Sequence, residues 1–116
     1  MFTKKELEAI LSQVDLTWFT HCVKGTLKRY VVGLTNNTER SVDVLMGQIM
    51  YYGSMNENLT IGWRLDDRTN QVYIDVGVCT DDLSEAILLC YEFHQKCLWD
   101  VQNKCEIRAS YPKRAV

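Results

Sequence analysis

The sequence predicts an α+β domain, a small antiparallel sheet built from hairpins with about three helices packed on it as a single layer pair. Three observations carry the prediction. Thr3 with Glu6 and Asp82 with Glu85 are capping boxes that open runs of apolar residues at helical spacing. From Leu59 to Cys79 apolar and polar residues alternate on both sides of one polar turn, the pattern of a hairpin with one buried face. Helical and strand-like segments then take turns along the chain, which favours helices on one face of a sheet.

The elements follow in order. Leu7, Ile10, Leu11 and Val14 make an apolar stripe, so the first helix is expected from about Lys4 to Val14. Residues 17–35 are rich in Thr, Val, Trp, Phe and Tyr and hold no Ala or Glu, which favours strand. Lys24-Gly25 sits at a turn position, giving Thr17 to Val23 and Leu27 to Leu34 as paired strands of a hairpin. Phe19, Val23, Leu27, Tyr30 and Leu34 also fit a helical stripe, so a helix is the competing assignment there. Thr38 or Ser41 caps a second helix with Val42, Leu45, Ile49 and Tyr52 on its inner side, ending at Gly53. Leu59 to Leu65 and Val72 to Cys79 form the hairpin about Asp66-Asp67-Arg68-Thr69-Asn70. Leu83, Ile87, Cys90 or Tyr91, and His94 continue a third helix to about Lys96. Short strands at Cys97 to Val101 and Cys105 to Ala109 close the sheet, and Tyr111-Pro112 marks the end of ordered structure.

Residues 1–116 suit one domain able to bury a single core, and 47% hydrophobic with 24% charged residues is an ordinary globular composition. Met1 to Glu8 carries Lys4, Lys5, Glu6 and Glu8 and no signal-peptide apolar stretch, and no run approaches a transmembrane helix. A cytoplasmic protein away from membranes is expected. Five cysteines, an odd number, then read as reduced thiols. The formal charge of -2 is unevenly placed, because nine acids and three bases fall between Glu57 and Asp100. The last sixteen residues, with Lys104, Arg108, Lys113 and Arg114, are the basic end.

No G-x-S-x-G, H-E-x-x-H, phosphate loop or dinucleotide fingerprint is present, so no enzyme is predicted and no cofactor is expected. Cys90, His94 and Cys97 at i, i+4 and i+7 place three soft ligands near one helix face, and Cys79 or Cys105 could complete a zinc tetrahedron. Buried thiols are the commoner use of such residues. His21 and Cys22 are neighbours on a strand, point to opposite faces and cannot share a proton. Lys24, Lys28 and Arg29 with Trp18 and Tyr30 form a miniature basic patch, but a pI near 5.6 argues against direct nucleic-acid binding. Asp66 and Asp67 suit a turn, and Asp81 and Asp82 a helix start. Asp75, beside Tyr73 on the outward side of its strand, is the acid that folding does not explain.

Trp63, Asp66, Thr69, Tyr73, Asp75, Asp82, Glu85-Ala86, Gln95 and Trp99-Asp100 together form a further pattern. It comprises a strand ending in Trp, a D-x-x-T turn, Y-x-D, a D-x-x-E-A helix and a closing W-D strand. The C-terminal half in this respect resembles a module of small phage and mobile-element proteins. The resemblance implies an accessory protein, of the kind that inhibits host defence as anti-CRISPR and anti-restriction proteins do. The sequence therefore predicts a non-enzymatic protein-binding module acting on a host protein. Its partner-binding residues are expected at Asp66, Asp67, Tyr73, Asp75 and Asp81, an acidic segment facing a basic partner. A zinc-stabilised nucleic-acid-associated regulator and an immunity protein against a toxin are the alternatives. Trp63 and Trp99 are expected to fill the sheet core.

Overall fold

The computed structural model describes residues 2–14, 19–23, 25–35, 37–38, 41–53, 58–66 and 68–109. Trp18, Lys24, Asp67, Tyr111 and Pro112, each singled out by the sequence, lie outside them. The chain runs α1 (Lys4–Leu11), β1 (Phe19–Cys22), β2 (Tyr30–Gly33), α2 (Val42–Gly53), β3 (Leu59–Asp66), β4 (Gln71–Thr80), α3 (Leu83–Glu92), β5 (Cys97–Asp100) and β6 (Cys105–Arg108). The six strands form one antiparallel sheet in the order β1-β3-β4-β2-β5-β6. The predicted α+β class and alternation of elements are what the chain adopts.

Local chemistry sets the boundaries. The Thr3 hydroxyl accepts the Glu6 amide at 3.2 Å, and the Asp82 carboxylate accepts the amides of Ser84 and Glu85 at 2.9 and 3.3 Å, so both capping positions start helices. Ser41, of the two residues considered, caps α2 by accepting the Val44 amide at 3.3 Å. The third helix stops at Glu92, short of the expected Lys96. His94 there takes a left-handed φ of 56°, while the amides of His94 and Gln95 fold back on the carbonyls of Tyr91 and Cys90. This is a Schellman stop with His in the position glycine usually holds.

The core lies on one side of the sheet. Leu7, Ile10 and Leu11 of α1, Leu45 and Ile49 of α2 and Ala86 and Cys90 of α3 pack with Tyr30, Val32, Leu59, Ile61, Trp63, Ile74, Val76, Val78 and Leu98. Trp63 is 4% exposed there, as expected. Trp99 is not in that core. It sits on the opposite face with Cys22, Val31 and Cys79 in a second, smaller cluster, because Leu98 and Asp100 turn inward and alternation turns Trp99 out.

One pairing differs from expectation. Residues 17–34 do hold two strands, but β1 pairs with β3 at one edge, whereas β2 lies between β4 and β5. Tyr30, Val31 and Val32 are all buried, so β2 needs cover on both faces and belongs in the middle of the sheet. The connection turns through Gly25 at φ 86° and tucks Leu27 against Cys22, Val31 and Cys79, crossing the ends of β3 and β4. Among the described residues no helix is long and apolar enough to cross a membrane.

Candidate functional site

Because the helices occupy one face of the sheet, the other face carries only the small cluster about Val31 and Trp99 among the described residues, and small and polar side chains take the rest. Register places them in rows. Thr20, Gly62 and Asp75 line up across β1, β3 and β4, and Cys22, Thr60, Gly77 and Gly33 across β1, β3, β4 and β2. Arg64 and Tyr73 lie opposite each other on one side of these rows, with Val31 and Trp99 on the other. Low side chains between tall ones make a cleft of about 510 Å³, with His94, Gln95 and Lys96 at its lip. That size falls in the usual range of small-ligand sites.

Asp75 is the unusual group in the cleft. Its Oδ2 lies 3.5 Å from Arg64 Nε, and the Arg64 guanidinium sits 4.9 Å above the Tyr73 ring. Its Oδ1 is shut off from solvent and receives no hydrogen bond from the described residues. A buried acceptor without a donor costs about 1 to 3 kcal/mol. Burial pushes the carboxyl up to about 6, and the charge and hydrogen bond of Arg64 only partly offset it. The sequence-based expectation of an outward face holds for Asp75, but the side chain is largely buried rather than solvated.

The other acids singled out by sequence are spread along the hairpin. Asp66 closes the β3–β4 turn, its carboxylate accepting the Arg68 amide at 2.9 Å and its carbonyl the Asn70 amide at 2.8 Å. Asp81 follows the far end of β4 and accepts the Arg29 amide at 3.0 Å. A strand as long as Gln71–Thr80 keeps them about 30 Å apart. Of the expected residues that are described, Tyr73 and Asp75 come together, through Arg64. Asp100, 1% exposed, takes two hydrogen bonds from the Arg29 side chain at 3.3 and 3.2 Å and also accepts the amides of Gln102 and Asn103. Arg29 holds that carboxylate below its ordinary range, first through the hydrogen bond. This network clamps β2 to the β5–β6 turn.

The cysteine-histidine set is not assembled as a metal centre. His94 is exposed past the helix end, and the Cys90 thiol donates to the Cys97 carbonyl at 3.7 Å while Cys97 faces the cleft. No group of three His, Cys, Asp or Glu among the described residues is placed to hold a metal ion. Burial pushes the Cys79 and Cys90 thiols up, away from the thiolate that metal binding or nucleophilic attack needs.

Sequence reasoning missed two things. The glycines and Arg64 that shape the cleft become visible only when strand register is known. The second is on the helices, where Val44, Met50 and Tyr51 of α2 and Leu83, Leu88 and Tyr91 of α3 are exposed, Met50 by 70% and Leu88 by 67%. The signal was present in Ile87-Leu88-Leu89-Cys90-Tyr91, five consecutive apolar residues that cannot all face a core from one helix. Tyr52 of α2 and Phe93 after α3 meet edge to face at 6.1 Å, so the C-terminal ends of these helices adjoin. The chain matches no protein-family model, no curated protein and no solved structure.

Proposed function

We propose that the chain is a non-enzymatic protein-binding module that docks on a basic protein through the outer surface of α2 and α3. The exposure of six large apolar residues, three on each of two helices whose C-terminal ends adjoin, carries this reading, since a surface of a soluble protein that leaves large apolar side chains open marks a site of interaction. The charge around them supports a basic partner. The charged residues on the two helices are Asp43, Glu85 and Glu92, all acidic; Asp43 is paired with Lys4 of α1 at 3.1 Å, which leaves Glu85 and Glu92 of α3 to carry the negative charge. Neither helix has a basic residue in its last turn to offset the negative end of its dipole. A second copy would bring like charges together, which disfavours self-association. The phage-like C-terminal half gives the biological setting, an inhibitor seated on a host CRISPR or restriction complex, whose nucleic-acid-binding surfaces are basic.

The test compares the wild type with a Leu88→Ser/Tyr91→Ser variant, both positions being exposed. The immobilised wild type is expected to retain a subunit of a defence complex at near-equal stoichiometry and to release it as salt rises from about 50 to 500 mM. The variant should melt like the wild type and retain none. Equal recovery by both proteins removes the helical surface from the interface. Recovery of a toxin in place of a defence subunit assigns the immunity role, and a dimer that the variant splits makes the surface self-associating.

A further inference from the structure

The cleft on the helix-free face has a chemistry of its own, separate from the helical surface. Its floor is low at Gly33, Gly77 and Thr60, and the glycines differ in kind. A Cβ on Gly77 would meet the Val32 carbonyl at 2.6 Å and the Thr60 hydroxyl at 2.8 Å, so this residue is required by close strand packing. A Cβ on Gly33 would point into open space, with only Asp75 Oδ2 within reach at 4.0 Å. Folding therefore does not demand glycine at 33, and its absent side chain keeps the cleft open beside Asp75.

The walls present complementary groups. Asp75 offers an acceptor with one oxygen lacking a donor, and Arg64, beside it, offers guanidinium N–H groups held in place by Tyr73. The oxygen that faces Gly33 across the cleft is Oδ2, the one that also meets Arg64. The facing wall includes the indole of Trp99, half-buried and able to cover a flat ring. The charged side chains on the lining are Arg64 and Lys96 against Asp75 and Glu106, a neutral balance that favours neither an anion nor a cation. An acceptor next to a donor, opposite an aromatic wall and above a low floor of glycine and threonine, complements a neutral planar ring whose edge carries a donor next to an acceptor. Nucleobases have that edge, and about 510 Å³ holds a nucleoside.

We propose that the cleft binds a nucleobase, as a nucleoside or nucleotide, with its polar edge on Asp75 and Arg64 and its ring packed against Trp99. Thr20 and Thr60, which also line the cleft, carry hydroxyls for the sugar.

The full chain, labelled with 15N, is titrated with guanosine, adenosine, cytidine and uridine, and in parallel with guanidinium chloride as a simple cation. At least one nucleoside is expected to shift the amides of residues 33, 62, 77 and 97–99 with a dissociation constant at or below about 1 mM. Gly33→Val, which fills the cleft at a position free of backbone clash, should abolish those shifts while keeping the remaining spectrum and the melting temperature. Asp75→Asn keeps the shape but replaces an acceptor with a donor, and should weaken binding about tenfold. Four nucleosides that leave these amides unmoved at about 5 mM overturn the proposal. So does a guanidinium ion that saturates the same amides more tightly, or binding that survives in a folded Gly33→Val protein. Should Gly33→Val fail to fold, Asp75→Asn and Trp99→Leu are read instead, and unchanged affinity in both also overturns it.

Discussion

Replacing Asp75 with asparagine should stabilise the protein at neutral pH, the reverse of what removing a member of an ion pair usually does. The magnitude follows from the environment of the carboxyl. Its side chain is 21% exposed, one oxygen lacks a donor, and the Arg64 contact at 3.5 Å is long. Burial outweighs Arg64 and raises the carboxyl from 3.8 to about 6. At about 1.4 kcal/mol per tenfold, that gap makes the ionised form about 3 kcal/mol less favourable in the folded than in the unfolded chain.

The sign of the pH dependence is fixed by the same two values. Below about pH 3.8 the carboxyl is protonated in both states and costs nothing. As pH rises from 3.8 to about 6 the unfolded chain releases its proton first, the native state binds more protons, and stability falls. Above about 6 the whole penalty is present. Asparagine carries its own burial cost, but that cost does not change with pH. Urea unfolding of wild type and Asp75→Asn between about pH 3.5 and 7 therefore isolates the effect, other titrating groups being common to both. The stability of the wild type relative to the variant should drop by about 3 kcal/mol across that window. A flat difference would mean that the carboxyl is better solvated than its surroundings indicate. A rising one would mean that Arg64 dominates, and either result refutes the reasoning.

The two conspicuous tryptophans should separate by face. Trp63→Ala, made in the helix-covered core at 4% exposure, should cost about 3 to 5 kcal/mol in chemical denaturation. Trp99→Ala, on the helix-free face, should cost less than half as much. Equal losses would place Trp99 in the main core after all. Gly77→Ala should lower the melting temperature, by an amount corresponding to about 1 to 3 kcal/mol, because its methyl meets a backbone carbonyl that cannot swing away. Gly33→Ala, measured alongside it, should stay within about 0.5 kcal/mol of wild type. Similar melting of the two glycine variants would contradict the packing argument.

What the sequence disclosed and what it concealed divide along physical lines. The helix starts at Thr3 and Asp82, the end of α2 at Gly53 and the β3–β4 hairpin about Asp66 are set by neighbours in the chain, and each was legible. The pairing of β1 with β3 and of β2 with β4 depends on partners 38 to 50 residues away, and a turn residue at Gly25 looks the same whether the chain doubles back or crosses over. The C-terminal end of α3 was hidden because His94 occupies a left-handed position that pattern reading reserves for glycine. Of the expected partner-binding residues, Tyr73 and Asp75 were correctly placed on one face by strand period. Their joining through Arg64 required register, since Arg64 and Tyr73 are directly opposite only when Asp66 faces Gln71.

The two surfaces follow from one feature of the fold, the cover of a six-stranded sheet on a single side. A second layer of helices would have demanded apolar side chains on both faces, yet β3 and β4 turn Thr60, Gly62, Arg64, Tyr73, Asp75 and Gly77 to the helix-free side. These residues cannot supply a core, and Gly33 and Gly77 cannot supply cover. That face is left concave because its middle is a low floor of glycine and threonine, and a partly desolvated acid within it is held at a cost that folding does not need. On the opposite side the helices meet the demands of the sheet with Leu45, Ile49, Ala86 and Cys90 and still expose Met50, Tyr51, Leu88 and Tyr91. An apolar surplus on one side and a buried acceptor without a donor on the other are two places, among the described residues, where this sequence departs from what stability alone would select. A partner for the first and a ligand for the second would remove both departures independently, so the Leu88→Ser/Tyr91→Ser protein should keep nucleoside binding and the Gly33→Val protein should keep its protein partner. Loss of both activities in either variant would show one shared site in place of two.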